Sequence, residues 1–216
     1  MKLLSTKPTG LLLAGGQSRR MSGAFAEGRG DKGLLEIAGK PMLGHVIERL
    51  KPQVGALVIN ANGDQARFAE FALPIVSDTV EGFAGPLAGI LAGLRWSKAN
   101  APEATHLVSV STDAPFLPAN LVERLQDGLE AGTGAIALAR SDGGLHPVIG
   151  LWPVALADDL EEALRAGTRK VLAWTDRHGT VPVDFPFIEL KGRSVDPFFN
   201  ANTPEELAQA RELLAG

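Results

Sequence analysis

Cysteine is absent from the 216 residues. Neither a disulfide framework nor a thiolate metal centre is therefore open to the chain, and the cytosol is the expected compartment. Long apolar runs are missing too. The opening MKLLSTKPTGLLLAGG carries two lysines but too short an apolar stretch for a signal peptide or a membrane span. Positive charge is not in excess: 21 basic against 25 acidic side chains leave a net charge of −4, without the basic field that a nucleic-acid binder uses. There is no block of like charge, no internal repeat and no low-complexity tract. The four histidines include no H-E-x-x-H pair, so nothing argues for zinc. What remains is a soluble globular chain with no nucleic-acid or membrane partner. Its length suits a single domain, 1–216, able to bury roughly 70% of its unfolded surface.

Apolar runs of strand length alternate with segments of helical period. GLLLA (10–14), ALVIN (56–60), THLVSV (105–110), GAIALA (134–139) and HPVIGLW (146–152) read as strands, several apolar enough to be buried on both faces. Pro41 opens a candidate helix at its first position, with Leu43, Val46, Ile47 and Leu50 on one face. Pro86 opens another, carrying Leu87, Ile90, Leu91 and Leu94. Leu121, Val122, Leu125 and Leu129 mark a third. Thr203-Pro204-Glu205-Glu206 reads as a capping box ahead of a last helix. This alternation predicts an α/β layered fold with a mostly parallel sheet, and ligands in such folds lie at the carboxyl ends of the strands.

The first such end is followed by GGQSRRMSGAFAEGRGDKGLLEI. Gly15 and Gly16 allow a tight turn whose amides can cradle phosphate. Arg19, Arg20 and Lys32 supply cations to neutralise a polyphosphate and the charge that builds during its transfer. Within this loop, GRGDKG (28–33) has the form G-x-G-x-x-G but fails its context. It follows polar residues and leads into LLEIAGKP, an extended stretch and turn rather than a helix. A Walker loop is also missing, because Gly39-Lys40 is followed by proline. GRGDKG is thus the far end of a longer phosphate loop, with Lys32 its chemically important member.

The string LAGGQSRRM followed by DKGLLEIAGKP resembles the N-terminal signature of the molybdenum cofactor guanylyltransferases, within the nucleotidyltransferase superfamily. VINAN (58–62), VSDTVEGFAGPLAG (76–89), STDAPFLP (111–118), HPVIGLW (146–152), AGTRKV (166–171) and NANTPEEL (200–207) resemble further family segments in the family order. The doubled glycine at 15–16 favours the guanylyl branch over the related cytidylyltransferases. One departure is AFAEGRG after Met21-Ser22-Gly23, where family members commonly have about one residue. The resemblance implies a three-layer α/β/α, Rossmann-like nucleotidyltransferase fold, its half to about 115 binding the nucleotide and the half from 116 facing the pterin. It implies transfer of GMP from GTP to molybdenum-loaded molybdopterin with magnesium as cofactor, release of pyrophosphate, and molybdoenzyme maturation proteins as partners.

Each candidate residue has a plainer reading beside the functional one. Asp113 follows an apolar strand, where a carboxylate can hold magnesium beside a triphosphate; position alone serves a turn or cap aspartate equally well. The resemblance implies the metal role, and catalytic roles for Lys32, Arg19 and Asp113. Asp78 ends a short strand and reads alone as a turn residue, whereas the matching family aspartate contacts the nucleotide. Gly85, Gly89 and Gly93 recur every four residues, a bare stripe that admits either the sheet or a ligand; the resemblance implies that Gly85 and Gly89 admit the nucleotide. Asn60 offers an amide suited to a base edge, and the resemblance puts it, with Leu13, Ala14, Gly15, Gly16, Lys32, Asp78 and Asp113, in the nucleotide site. For the pterin it implies Asn200, Asn202, His146 and Arg169. Otherwise the asparagines suit turns, the histidine is structural, and Arg169 with Lys170 is solvated. A cytidylyltransferase, a sugar-phosphate nucleotidyltransferase and a non-catalytic cofactor-delivery module are the rival readings.

Overall fold

The computed structural model describes residues 6–14, 31–80, 85–142 and 144–214. Thr9–Leu13 forms β1; then come a short pair, Glu36–Ile37 (β2) and Lys40–Pro41 (β3), and α1 at Met42–Leu50. Ala56–Asn60 (β4) and Ile75–Val76 (β5) lead to α2, Pro86–Asn100, and β6, His106–Ser111. Next follow α3 (Leu121–Ala131), β7 (Ile136–Ser141), β8 (Gly144–Pro153), α4 (Ala157–Arg165), α5 (Val171–Thr175) and β9 (Thr180–Asp184). A hairpin of β10 (Ile188–Leu190) and β11 (Arg193–Val195) precedes α6, Pro204–Leu214.

Seven strands form one sheet in the order β5-β4-β1-β6-β8-β7-β9. β1 pairs in parallel with both β4 and β6, β4 with β5, and β7 with β9. Only β8 runs against the rest, antiparallel to β6 and to β7. Its direction follows from the short turn after Ser141, since two-residue connections join antiparallel strands and a parallel return needs a crossover. Side chains alternate between two cores, as the two-residue strand period demands. Leu12, Leu57, Ile59, Val108 and Val110 pack with α1 and α3 on one face. Leu11, Val58, Leu107 and Trp152 pack with α2, α4 and Trp174 of α5 on the other. The sheet between two helical layers is the expected three-layer α/β/α arrangement. A smaller third core, with Ile37, Met42, Phe116, Ala201 and Leu207, ties β2 and α6 to the loop beyond β6.

Pro41 stands one place earlier than the helical period suggested. It pairs with Glu36 as the end of β3, at φ −54° and ψ 143°, so α1 starts at Met42. The capping box at the last helix is present. Glu206 N–H donates to Thr203 Oγ1 at 3.2 Å, and Glu206 Oε2 accepts from the amides of Thr203 and Asn202 at 2.9 and 2.7 Å.

The glycine stripe of α2 sits against the sheet at two of its three positions. A Cβ on Gly93 would fall 2.7 and 2.9 Å from the δ-carbons of buried Leu11. One on Gly89 would fall 2.3 Å from Asn60 Oδ1 and 2.7 Å from Leu13 Cδ2, while Gly85 has open space around it. Gly93→Ala gains roughly 1 kcal/mol of helix propensity but overpacks a closed core at a cost of about 1–3 kcal/mol. The expected net loss is about 1 kcal/mol, measured as a lower urea midpoint at unchanged slope.

Candidate active site

The parallel strands end with their candidate site residues in one row. Leu13, the last residue of β1, is flanked by Asn60 on β4 and Ser111 on β6. Ala14 N–H continues the pattern by donating to Asn60 O at 2.9 Å. All three ends lie where an α/β sheet presents its ligand crevice.

Two residues past β6 stands Asp113, with 15% of its side chain exposed. Buried Ala114, Phe116 and Leu117 anchor the turn that follows, and the Ser111 hydroxyl donates to Asp113 Oδ1. The Lys32 turn lies directly on this segment, because a Cβ on Gly33 would come within 3.0 Å of Thr112 Cβ and Oγ1. Lys32 Nζ consequently sits 3.8 Å from Asp113 Oδ2 and donates to Asn202 Oδ1 at 2.6 Å. Ala201 N–H reaches Asp113 O at 3.3 Å, closing the C-terminal Asn200–Asn202 segment onto the same turn. Asn200 Oδ1 is buried with no hydrogen-bond partner among the described residues, an acceptor still to be satisfied. Lys32, Asp113, Asn200 and Asn202 are thus brought together from the two ends of the sequence.

Asp31 was not singled out from the sequence. Its carboxylate caps the short turn at Lys32 by accepting from Gly33 N–H at 3.0 Å, and Arg67 approaches it at 3.9 Å. Burial pushes this carboxyl above its ordinary 3.8, against the pull of the Gly33 amide, Arg67 and Lys32, with the charge of Asp113 adding to the rise. The only local signal was adjacency to Lys32, because Arg67 comes from 36 residues along the chain and forms the contact through the fold.

On the other side of β1, Asp78 is clamped by two asparagines. Asn60 Nδ2 donates to Asp78 Oδ1 at 3.0 Å and Asn62 Nδ2 to Oδ2 at 2.8 Å, while Asp78 N–H donates to Asn62 Oδ1 at 2.9 Å. Asn60 is 3% exposed and also donates to Val76 O at 3.2 Å. Its two amide hydrogens are committed in this structure, and one of them holds Asp78 in place. Asn62, within the quoted VINAN segment, was missed as the second clamp.

His146 lies at the start of β8, bonded to Ser141 at 2.6 Å and facing the Phe198 ring at 4.7 Å. Neither Ser141, its partner, nor Asp196, which accepts from Ser141 at 2.7 Å, gave a sequence signal. Arg169 is not drawn into the cluster by its visible bonds; it donates to Leu164 O at 3.1 Å and Thr168 O at 3.0 Å, at the end of α4. Gly15, Gly16, Arg19, Arg20 and the 24–30 insertion lie outside the described residues.

Burial holds the His146 ring below its ordinary 6.5, opposed in part by the charge of Asp196. The unfolded chain therefore takes up its proton first as pH falls, and the folded state loses stability as pH drops through about 6.5 and below. Urea titrations at pH 7 and pH 5 should show this decline, and a smaller one in His146→Gln.

A lysine held beside a strand-end carboxylate, and a second carboxylate clamped by two asparagines, stand at the carboxyl ends of a mostly parallel sheet, an arrangement that fits the nucleotidyltransferase class. A family model described as the MobA-like NTP transferase domain matches residues 10–183, and the chain belongs to that family. It is 51% identical over 212 residues to a protein of Bradyrhizobium named molybdenum cofactor guanylyltransferase, covering 98% of this chain and 95% of that one. A Rhodopseudomonas palustris protein of the same name is 48% identical over 94% of this chain and 92% of its own. Among solved structures, molybdopterin-guanine dinucleotide biosynthesis protein A of Archaeoglobus fulgidus superposes with a TM-score of 0.67 at 25% identity, covering 94% of this chain and 97% of that one.

Proposed function

We propose that this enzyme transfers GMP from GTP to the terminal phosphate of molybdenum-loaded molybdopterin, forming the guanine dinucleotide cofactor and releasing pyrophosphate. The observation that carries the reading is the meeting of Lys32, Asp113 and Asn202 at the strand ends, in a chain similar over nearly its full length to proteins named for this reaction. The acceptor phosphate is already an anionic nucleophile, so the task is alignment and charge neutralisation rather than activation by a base.

Lys32 neutralises charge on the triphosphate, and its bond to Asn202 holds the ammonium beside Asp113. Asp113 is the carboxylate that would hold magnesium. A single oxygen donor set beside a polyphosphate suits that ion, which completes its octahedron with phosphate oxygens and water. When bound, the metal supplies charge to the polyphosphate as it breaks. Leu13, Ala14, Gly15 and Gly16 contribute the loop for the phosphates, with Arg19 as a second cation. Gly89 leaves room for the Asn60–Asp78 pair, and Gly85 opens the mouth of α2. Asp78 accepts from the paired N–H donors of guanine, an edge that cytosine lacks. His146, Asn200, Asn202 and Arg169 are the residues on the pterin side. The product passes to molybdoenzyme maturation proteins in the cytosol. Among the described residues no helix is long and apolar enough to cross a membrane.

The test is pyrophosphate release with loaded molybdopterin and either GTP or CTP. The expected result is turnover with GTP at least 100-fold more efficient than with CTP, since a site built on hydrogen bonds rejects bases lacking the donors. Equal use of CTP overturns the base assignment. Tight GTP binding without pyrophosphate marks a delivery module instead.

A further inference from the structure

Ser141 closes β7 and is 4% exposed. Its Oγ lies 2.6 Å from His146 Nε2 and 2.7 Å from Asp196 Oδ2. Asp196 Oδ1 accepts from Phe198 N–H at 2.8 Å, and the Phe198 ring lies between His146, at 4.7 Å, and Phe185, at 5.0 Å. One polar line thus joins β7, β8 and the segment beyond β11, backed by aromatic rings.

Counting hydrogens fixes its polarity. A hydroxyl has one hydrogen, and an ionised carboxylate has none to give. Ser141 therefore donates to Asp196 and must accept from His146, which places a hydrogen on Nε2. In the neutral ring Nδ1 is then a bare acceptor, and it has no hydrogen-bond partner among the described residues. The order also excludes a serine nucleophile. In a hydrolase relay the imidazole stands between hydroxyl and carboxylate, whereas here the hydroxyl stands between the other two and its proton faces Asp196.

We propose that Ser141 and Asp196 are positioning residues that hold His146 as the Nε2–H tautomer, so that Nδ1 accepts a hydrogen bond from an N–H group of the acceptor substrate. The proposal rests on the transferase reading and deepens it by giving the acceptor a direction. A phosphate offers acceptors and negative charge, and meets a bare acceptor backed by Asp196 at this end. A nitrogen heterocycle with ring N–H and amino groups meets complementary partners. Asn200 Oδ1, four residues beyond Asp196, is a second acceptor unmet among the described residues. The heterocycle therefore lies toward His146 and the acceptor phosphate toward Lys32.

Long-range ¹H–¹⁵N correlation spectra of the full-length protein, with His146 assigned by comparison with His146→Gln, read the tautomer without any need for turnover. The expected wild-type result is hydrogen on Nε2; hydrogen on Nδ1 overturns the proposal. In Ser141→Ala and Asp196→Ala the tautomers should mix, and KM for molybdopterin should rise about three- to tenfold with KM for GTP unchanged. Asp196→Asn, which keeps an acceptor oxygen for Ser141, should restore most of the loss. A scrambled tautomer with unchanged KM for molybdopterin overturns the proposal. Absence of transfer by the wild type to any pterin would overturn the transferase reading and the proposal with it, whereas a wrong tautomer overturns the proposal alone.

Discussion

Asp113→Ala should lower kcat for pyrophosphate release about 10³-fold, the scale seen when a pre-set electrostatic group is removed from a charge-building transition state. That corresponds to about 4 kcal/mol of barrier. The fold has little to lose by comparison. The peptide oxygen that accepts from Ala201 N–H is retained in any substitution, and Ala114, Phe116 and Leu117 still anchor the turn. Lys32 keeps its bond to Asn202. Removing the Asp113 charge also relieves repulsion on the buried Asp31 carboxylate. A stability change within about 1 kcal/mol is therefore expected for this partly exposed pair. Stopped-flow or coupled assays at saturating GTP, beside urea unfolding, separate the two effects. Near-wild-type turnover contradicts the role given to Asp113.

Lys32→Ala should cost about 10²- to 10³-fold in kcat/KM, with KM for GTP rising as well. In the proposed role the ammonium would touch ground-state phosphate as well as the charge that develops during transfer, so both parameters should move. Two acceptors, Asn202 Oδ1 and Asp113 Oδ2, also lose their cation and would face the incoming anion uncompensated. Lys32→Arg should recover only part of the activity. The compact ammonium works beside a turn pressed onto Thr112, while a planar guanidinium needs a wider fork of partners. Steady-state kinetics with varied GTP checks both variants. An unchanged KM and kcat in Lys32→Ala would remove the lysine from the mechanism.

How far the sequence carried this result depends on distance along the chain. β1, β4 and β6 were visible as apolar runs because strands buried on both faces need little else. Lys32 stood out as a cation of the loop beyond β1, whereas Asp113 stood at a strand end where position alone served a turn aspartate equally well, and the resemblance alone pointed to its role. The short β5, two residues long, showed only as the short strand that Asp78 ends, and the direction of β8 depended on the tightness of the turn before it. Asp31, Asn62, Ser141 and Asp196 were missed for one shared reason. Each works through a partner supplied by another element, such as Asp196 meeting Ser141 across 55 positions. The glycine stripe had two readings in sequence, and the backbone shows close helix–sheet packing at Gly89 and Gly93. Composition excluded thiolate chemistry but was silent on which asparagine would meet Lys32, a contact spanning 170 positions.

The most direct measurement is a crystal structure of the protein with magnesium and a GTP analogue that cannot be cleaved between the α- and β-phosphates. The account predicts the triphosphate at the ends of β1 and β6, with Lys32 Nζ on a phosphate oxygen, Asp113 on the metal and Asp78 against the guanine edge. A nucleotide bound elsewhere, or one in this crevice with Asp113 and Lys32 turned away from its phosphates, would contradict it.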